Sequence, residues 1–207
     1  MLVDLQNVSK GRRGVALAET SLTYGEGEAR LAVAETEQRP TVLGLIASGR
    51  MRPDTGTVTI DAEPDGRSLR RRVALIDAPD VSDPAPNVTV FGVVAEELMF
   101  AGRPSSPRAV LEWLTTHDAR ELSRLPIADV TPRDRLRLLL ELATLRPGVE
   151  GLVLVSPDRH GGDPHVWWDL AEHFATRGIS VLVIAGASAG TVLAGRARRA
   201  EREEARA

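Results

Sequence analysis

The end of the chain alternates between strand and helix patterns, and this alternation limits the possible folds more than any other feature. Two short apolar runs, GLVLVS and ISVLVIAG, flank the segment PHVWWDLAEHFATRG, whose apolar residues have helical spacing. Short apolar runs that alternate with helices are typical of parallel strands, because two parallel strands need a crossover connection and a helix supplies it. The pattern therefore predicts an α/β protein with a mainly parallel sheet.

The beginning of the chain predicts further strands and one helix. Strand-like runs LVDLQNV, VALAETSLTY and ARLAVA are separated by turns that contain glycine. Residues 41–50 have helical apolar spacing, and Pro40 stands where proline suits a first helical turn. PDTGTVTID then predicts a turn and a strand, and RRVALIDA predicts a short buried strand.

The middle of the chain is predicted to be helical. After the loop SDPAP, the segments VTVFGVVAEELMFAG, PRAVLEWLTTH and TPRDRLRLLLELATL have helical apolar spacing, and Thr131 followed by Asp134 predicts a helix N-cap. The 207 residues are therefore predicted to form one domain. It has an α/β core (1–84 and 148–195), an inserted α-helical lobe (85–147) and a charged C-terminal helix or tail (196–207).

Composition excludes several classes of protein. A formal net charge of -3 supplies no basic field, so nucleic acid is not an expected partner. The chain has no cysteine, which excludes disulfides and thiolate metal sites. The N-terminus lacks a basic and then apolar leader, and we expect a cytoplasmic protein. The uncharged stretch 179–195 is shorter than the about 20 residues of a membrane span. Its glycines and serines favour a strand, a turn and a helix start.

In this order, the elements resemble the ATP-binding subunit of ABC transporters over nearly the whole chain. The residues that carry the resemblance are LQNVSKG, Gly27 with Glu28, LGLIASGRMRPDTGTVTID, NVTVFGVVAEELMFAG and GLVLVSPD with the following GDP. The resemblance implies a P-loop NTPase-like (ABC ATPase) core with a mainly parallel sheet and an inserted helical lobe. It also implies ATP and magnesium as the cofactors of the family.

The phosphate-binding loop of that family is degenerate in this chain. Aligning on GRMRPDTG places the Walker A loop, GxxxxGK[ST], on residues 34–41, where only Thr41 matches. Ala34 and Arg39 replace its glycines, and Pro40 replaces its lysine and has no N–H. Glu35 and Glu37 add negative charge. The combined deficit is at least about 4 kcal/mol, on the order of a thousandfold in affinity. An alternative is that Arg39 contacts a phosphate from another direction.

The other family motifs are lost in parallel. The glutamine that helps to hold magnesium aligns with Ala78, the magnesium aspartate with Val155, the catalytic glutamate with Ser156 and the switch histidine with Gly186. The signature LSGGQ aligns with VTPRD, which is Val130, Thr131, Pro132, Arg133 and Asp134. In-line hydrolysis needs a metal, a water-positioning group and a phosphate clamp together. We therefore expect no catalytic residue, no metal site, absent or very weak ATP binding and no ATP-dependent homodimer.

Two further clusters have alternative interpretations. His165, Asp169 and His173 are four residues apart on a predicted helix and, with His160 nearby, are candidate metal ligands. The competing interpretation is a solvated polar face. Trp167 and Trp168 suggest a partner interface, although one of the two is expected in the core.

Taken together, the residues and the resemblance predict a pseudo-ATPase. It is expected to be a non-catalytic or regulatory subunit of a membrane transporter-like assembly, peripheral on the inner face of the cell membrane. The expected partners are a permease-like membrane protein and a catalytic paralogous ATPase subunit. Two alternatives stay open. One is a working ATP-binding subunit whose active site is completed by a catalytic paralogue, and the other is a free-standing interaction scaffold.

Overall fold

The computed structural model describes residues 1–35 and 39–204, with side chains up to residue 195. The seven strands in these ranges are β1 (Leu2–Lys10), β2 (Leu17–Gly25), β3 (Ala29–Val33), β4 (Thr55–Ile60), β5 (Val73–Ile76), β6 (Gly151–Val155) and β7 (Ser180–Ala185). The seven α-helices are α1 (Arg39–Ala47), α2 (Gly66–Arg72), α3 (Val90–Phe100), α4 (Pro107–Thr116), α5 (Pro132–Thr144), α6 (Pro164–Thr176) and α7 (Ala187–Glu204).

The strands form two sheets rather than one. Strands β3, β7, β6 and β5 form a parallel sheet in that spatial order, which confirms the predicted α/β fold class. Strands β2, β1 and β4 form a separate antiparallel sheet. The sequence did not predict this division, because the residue pattern of a short strand is the same whether its neighbour runs parallel or antiparallel to it.

The parallel sheet is the middle layer, with a hydrophobic core on each face. Leu152 and Leu154 of β6 pack into one core with helices α3 to α6, whereas Val153 and Val155 pack into the other with α1 and the antiparallel sheet. Successive side chains of a strand point to opposite faces. A strand between two cores is therefore apolar at every position, as GLVLV is.

Helix α2 was missed by sequence analysis, which assigned RRVALIDA to a single strand. The strand begins only at Val73, and Arg71 and Arg72 belong to the helix. Asp65 caps the helix by accepting from the N–H groups of Arg67 and Ser68. Only Leu69 of α2 is buried, so this short helix leaves almost no apolar periodicity to detect.

Helices α3, α4 and α5 and two short 3-10 turns occupy most of residues 85–147, called the helical lobe below. Each of the three helices begins with a side-chain cap, formed by Thr89, Ser106 and Thr131. The predicted cap at Thr131 is confirmed, because its Oγ1 accepts from the N–H of Asp134 at 3.2 Å.

The C-terminal part also follows the sequence pattern. The stretch 179–195 forms β7 and the start of α7, and no helix in the described part of the chain has the length and apolarity needed to cross a membrane. Trp167 is 2% exposed and lies in the core, whereas Trp168 is half-buried and donates its Nε1–H to Glu172. The expectation that one tryptophan of the pair is core is confirmed.

Candidate functional site

Several residues that align with the ATP site of the family converge at one edge of the parallel sheet. Ala34, Ser156 and Gly186 directly follow β3, β6 and β7, and the carboxyl ends of parallel strands meet at one edge. They line a cavity of about 380 Å³ together with Glu35, Pro40, Asp158 and Arg159. These aligned positions therefore lie close together in space.

The start of helix α7 is occupied by two carboxylates of the chain itself. Glu35 Oε1 accepts from the backbone N–H of Ala187 at 2.8 Å, and Asp158 Oδ2 accepts from that of Gly186 at 2.9 Å. The first N–H groups of a helix attract anions, because they have no partner within the helix and lie at the positive end of its dipole. Here the chain's own anions take these donors, at the edge that carries the residues aligned with the ATP site of the family.

The described start of helix α1 combines an exposed arginine with a buried proline. Arg39 is the first residue of α1 and is exposed, Pro40 is buried and has no N–H, and Thr41 is half-buried. Glu37 and its neighbours Thr36 and Gln38 lie outside the described residues. Lys10, the only lysine in the sequence, forms an ion pair with Asp54 at 2.6 Å.

The positions that align with the magnesium and base carboxylates do not fit a metal–nucleotide complex. Val155 is fully buried and packs closely against Gly44 of α1. A Cβ added at Gly44 would lie only 2.7 Å from Val155 Cγ2. Ser156 adopts a left-handed conformation with φ of 49° and donates its N–H to Ile184 O. Magnesium is bound through carboxylates and phosphates, and neither residue supplies a carboxylate.

Asp77 is the main feature of this edge that sequence analysis missed. It follows β5 and precedes Ala78, which is buried and donates its N–H to Ser82 Oγ at 3.2 Å. The side chain of Asp77 is 0% exposed. Its Oδ1 accepts from Arg135 Nη2 at 2.7 Å and lies 3.1 Å from Arg159 Nη2. Its Oδ2 lies 2.6 Å from His160 Nε2.

This Asp77 cluster joins two parts of the fold. Arg135 belongs to α5 of the helical lobe, whereas Arg159 and His160 belong to the turn after β6. Burial alone would raise the pKa of Asp77, but the hydrogen bonds from His160 and Arg135 and the charges of Arg135 and Arg159 outweigh it and lower the pKa. A buried carboxylate that remains ionised therefore ties the helical lobe to the sheet.

A sequence signal for the cluster existed. Asp77 ends the apolar run VALID, and an acidic residue at the carboxyl end of a buried strand is a typical site residue. Arg135 stands among the leucines of α5 and is itself buried, so it needs a partner. What the sequence lacked was any indication that these two residues, 58 positions apart, meet.

The residues aligned with the family signature form a capped helix start. Val130 is buried, Pro132 is half-buried, and Thr131 and Arg133 are exposed. Thr131 Oγ1 accepts from the N–H of Asp134 and donates to its Oδ2 at 2.8 Å. The cap therefore uses the N–H of Asp134 at the start of α5. In the family, glycines of the signature allow the backbone to approach the nucleotide closely, and VTPRD has side chains at the aligned positions.

The candidate metal ligands are not brought together. His165, Asp169 and His173 lie on α6, whereas His160 contacts Asp77. Among the described residues, no group of three or more His, Asp or Glu side chains is arranged to hold a metal ion.

A larger cavity of about 510 Å³, called the lobe groove, lies between the sheet and the helical lobe. Its walls are the edge strand β5, residues 81–85, helix α3 and the end of α5. Val81 and Phe100 are 49% and 60% exposed at this groove. Arg50 and Arg146 also line it.

Comparisons with known proteins match the fold. No family model matches the chain, and no curated protein was found to be related to it. A nucleotide-free ATP-binding cassette from an ABC transporter matches with a TM-score of 0.62 at 15% identity, covering 89% of this chain and 81% of that one. The ATP-binding protein of a putative ABC transporter from Pyrococcus furiosus matches with 0.62 at 13%, covering 90% and 92%.

A third similar structure is cbiO1 from Clostridium perfringens, part of the ABC transporter complex cbiONQ. It matches with a TM-score of 0.60 at 16% identity and covers 89% of this chain and 77% of that one. At these identities the comparisons establish architecture: this chain has the fold of ABC transporter ATP-binding cassettes. They confirm the resemblance stated from the sequence.

Proposed function

We propose that this chain is a pseudo-ATPase that serves as a non-catalytic or regulatory subunit of a membrane transporter-like assembly. The observation that carries the proposal is the occupation of the α7 start by Glu35 and Asp158, which accept from the N–H groups of Ala187 and Gly186. A nucleotide phosphate would have to displace these carboxylates or lie beside them, and like charges at short range repel. In this proposal the fold is retained, while the chain's own carboxylates take helix donors close to the residues that align with the phosphate loop.

The Asp77 cluster supports the same proposal. In a working site of this fold, side chains near the sheet edge must be available to metal and nucleotide. Here Asp77 is held by Arg135, Arg159 and His160. Because removing one partner from a buried ion pair is costly, the cluster favours its own closed arrangement over an added anion.

We propose that the membrane partner binds in the lobe groove through a short helix on the inner face of the cell membrane. Val81 and Phe100 expose apolar surface at the groove. An amphipathic helix in an apolar groove is a common mode of recognition. The similar cbiO1 structure is described as part of a transporter complex, which is consistent with such a partner here.

Hydrolysis is tested directly with purified protein. The expected result is a magnesium-dependent ATPase rate no higher than that of buffer. A rate that disappears in Thr41→Ala would contradict the proposal, because contamination does not depend on this residue. Such a rate seen only when a paralogous ATPase is added would favour the alternative of a subunit completed by a catalytic partner.

Partner binding is tested in native membranes. Wild-type protein is expected to co-purify with a membrane protein, and Phe100→Asp is expected to lose it. Val15→Asp is the matched control, because Val15 is 74% exposed and lies outside the lobe groove. If the wild-type protein is recovered without any membrane protein, the result would instead support the alternative that the chain is a free-standing interaction scaffold.

A further inference from the structure

The short helix α2 presents a row of arginines to solvent. Its seven residues, GRSLRRR, contain four arginines and no carboxylate. Arg67, Arg70 and Arg71 are exposed and stand at i, i+3 and i+4, so they share one face of the helix. Leu69 is buried on the opposite side. The three exposed residues are called the arginine face below.

The fourth arginine of α2 lies outside this face and already has its carboxylates. Arg72 contacts Asp61 at 2.7 Å and Glu150 at 2.6 Å. Asp61 follows β4 and Glu150 precedes β6, so these contacts fix the helix against the two sheets. The charges of both carboxylates are therefore used at Arg72.

Two further carboxylates lie just before the helix. Asp65 accepts from the N–H groups of Arg67 and Ser68. Glu63 stands two residues earlier and is exposed. The pKa of Asp65 is lowered first by the N–H of Ser68, and the charges of Arg71 and Arg67 lower it further. Asp65 therefore offsets part of the charge of the arginine face.

Arg50 adds a positive charge beside the arginine face. Arg70 Nη1 donates to the oxygen of Gly49 at 2.9 Å, and the next residue, Arg50, is exposed. Four guanidinium groups thus stand against the carboxylates of Asp65 and Glu63, and the surface around α2 has an excess of positive charge. The chain as a whole has a net charge of -3, so this excess is local.

The arrangement of the arginines does not stabilise α2. Like charges at i, i+3 and i, i+4 destabilise a helix, and a helix this short is marginal on its own. Arg67 has such a relation to both Arg70 and Arg71. Among the described residues, none of the three forms an ion pair. Anions supplied from outside the chain would remove this repulsion.

We propose that the arginine face binds anionic phospholipid headgroups at a membrane surface. The inference goes beyond the proposed function, because it requires neither a protein partner nor the state of the ATP-site residues. Arg67, Arg70 and Arg71 donate to headgroup phosphates, which match the planar pair of donors of a guanidinium. The negative potential of an anionic leaflet attracts each arginine that reaches the surface.

The composition of the arginine face favours lipid over other anionic partners. A protein interface has an apolar centre, whereas the one large apolar residue of α2, Leu69, is buried within the chain. A nucleic acid extends over a long, highly charged path, and the net negative charge of the rest of the chain opposes it. A membrane surface can contact the arginine face alone.

The test is cosedimentation with vesicles of phosphatidylcholine and phosphatidylglycerol in a two-to-one ratio, compared with vesicles of phosphatidylcholine alone. We expect binding only to the anionic vesicles. Binding should weaken as salt rises from about 0.05 M to about 0.5 M, because the Debye length shortens. Replacing Arg67→Gln together with Arg71→Gln should lower the partition coefficient about twentyfold or more, since each arginine near an anionic surface contributes about fivefold.

A matched variant separates the position of the charges from their number. Arg120→Gln together with Arg124→Gln removes the same charge at the same spacing from exposed residues of the helical lobe, and its binding should change less than about twofold. Glutamine is a good helix former, so the changes in α2 should preserve the helix. A melting temperature close to that of wild type checks that both double variants are folded.

Three results would overturn the inference: equal binding to the two kinds of vesicle, an equal loss in the two double variants, or no binding to anionic vesicles at low salt. Binding of a duplex RNA through Arg67 and Arg71, without binding to vesicles, would reassign the face to nucleic acid and reject the lipid as its ligand. None of these results bears on the proposed function, which is tested by the ATPase rate and by co-purification.

Discussion

Arg135 Nη2 donates to Asp77 Oδ1 across 2.7 Å, and both side chains are almost completely removed from water. The bond joins α5 of the helical lobe to the end of β5. Desolvating two charges is costly, so a buried pair stabilises a fold only when its hydrogen bonds are well made. Asp77 meets this condition because Arg159 and His160 complete its contacts.

The first prediction concerns this pair. Asp77→Asn and Arg135→Met should each lower the free energy of unfolding by about 3 to 5 kcal/mol, because each leaves a buried group without its partner. Asparagine tolerates the left-handed conformation of residue 77, where φ is 56°, so the change tests charge rather than backbone strain. Urea unfolding measures the effect.

A double-mutant cycle controls that prediction. Asp77→Asn with Arg135→Met should cost clearly less than the sum of the single changes. Arg108→Met in the exposed pair Arg108–Glu112 should hardly change stability. Additive costs at positions 77 and 135 would contradict a direct interaction.

The second prediction concerns pH. Because the pKa of Asp77 is lowered on folding, its ionised form stabilises the fold above the unfolded pKa of about 3.9. This stability is lost as pH falls through the lower folded pKa. The difference in unfolding free energy between wild type and Asp77→Asn should therefore narrow as pH falls from about 7 toward 3. A difference that is constant or grows on acidification would contradict the assignment.

The third prediction concerns Gly56 in β4. Its φ is 77°, and an added Cβ would lie 2.3 Å from the backbone oxygen of Gln6 in the paired strand β1. Gly27 has the same φ of 77° and nothing within 4 Å of such a Cβ. Gly27→Ala should cost about 1 to 2 kcal/mol for conformation alone. Gly56→Ala should cost at least about 1 to 3 kcal/mol more through overpacking. Equal melting temperatures would exclude the close approach.

The fourth prediction concerns ATP binding. If the changed loop raises the dissociation constant to about 10 mM or more, about 5 mM magnesium-ATP stabilises the fold by no more than about 0.25 kcal/mol. The melting temperature should rise by roughly 1 °C or less. A micromolar binder would add about 5 kcal/mol under the same conditions. A rise of several degrees that is lost in Arg39→Ala would show that Arg39 replaces the missing lysine.

The fifth prediction concerns assembly. With VTPRD at the signature position and two carboxylates at the α7 start, nucleotide should not join two copies of the chain. Light-scattering mass is therefore expected to be the same with and without magnesium-ATP. Dimerisation that appears only with ATP would refute this and restore the alternative of a working ATP site.

Features encoded by neighbouring residues could be predicted from the sequence. The cap of α5 depends on Thr131 and Asp134, three residues apart, and the strands β6 and β7 depend on uninterrupted apolar runs. The alignment of Pro40 with the phosphate-loop lysine of the family is likewise a prediction from residue identity alone. Helix α2 was missed because its seven residues bury only Leu69.

Contacts between distant residues required the tertiary structure. The sequence did not determine which strands form the antiparallel sheet, because a strand with alternating residues can pair with several partners and in several registers. Burial of Trp167 rather than Trp168 depended on the rotation of α6 against the sheet.

The sequence by itself determined the order of strands and helices and the prediction that the residues aligned with the family's nucleotide and magnesium positions differ from those of the family, because both are properties of local pattern and residue identity. Only the tertiary structure decided which groups meet at this edge of the sheet. Glu35 reaches the N–H of Ala187 across 152 residues, and Asp77 meets Arg135 across 58. Such partners are chosen by the packing of the sheet edge, where a buried charge or a helix N–H must be satisfied by whichever group the fold brings within hydrogen-bonding distance.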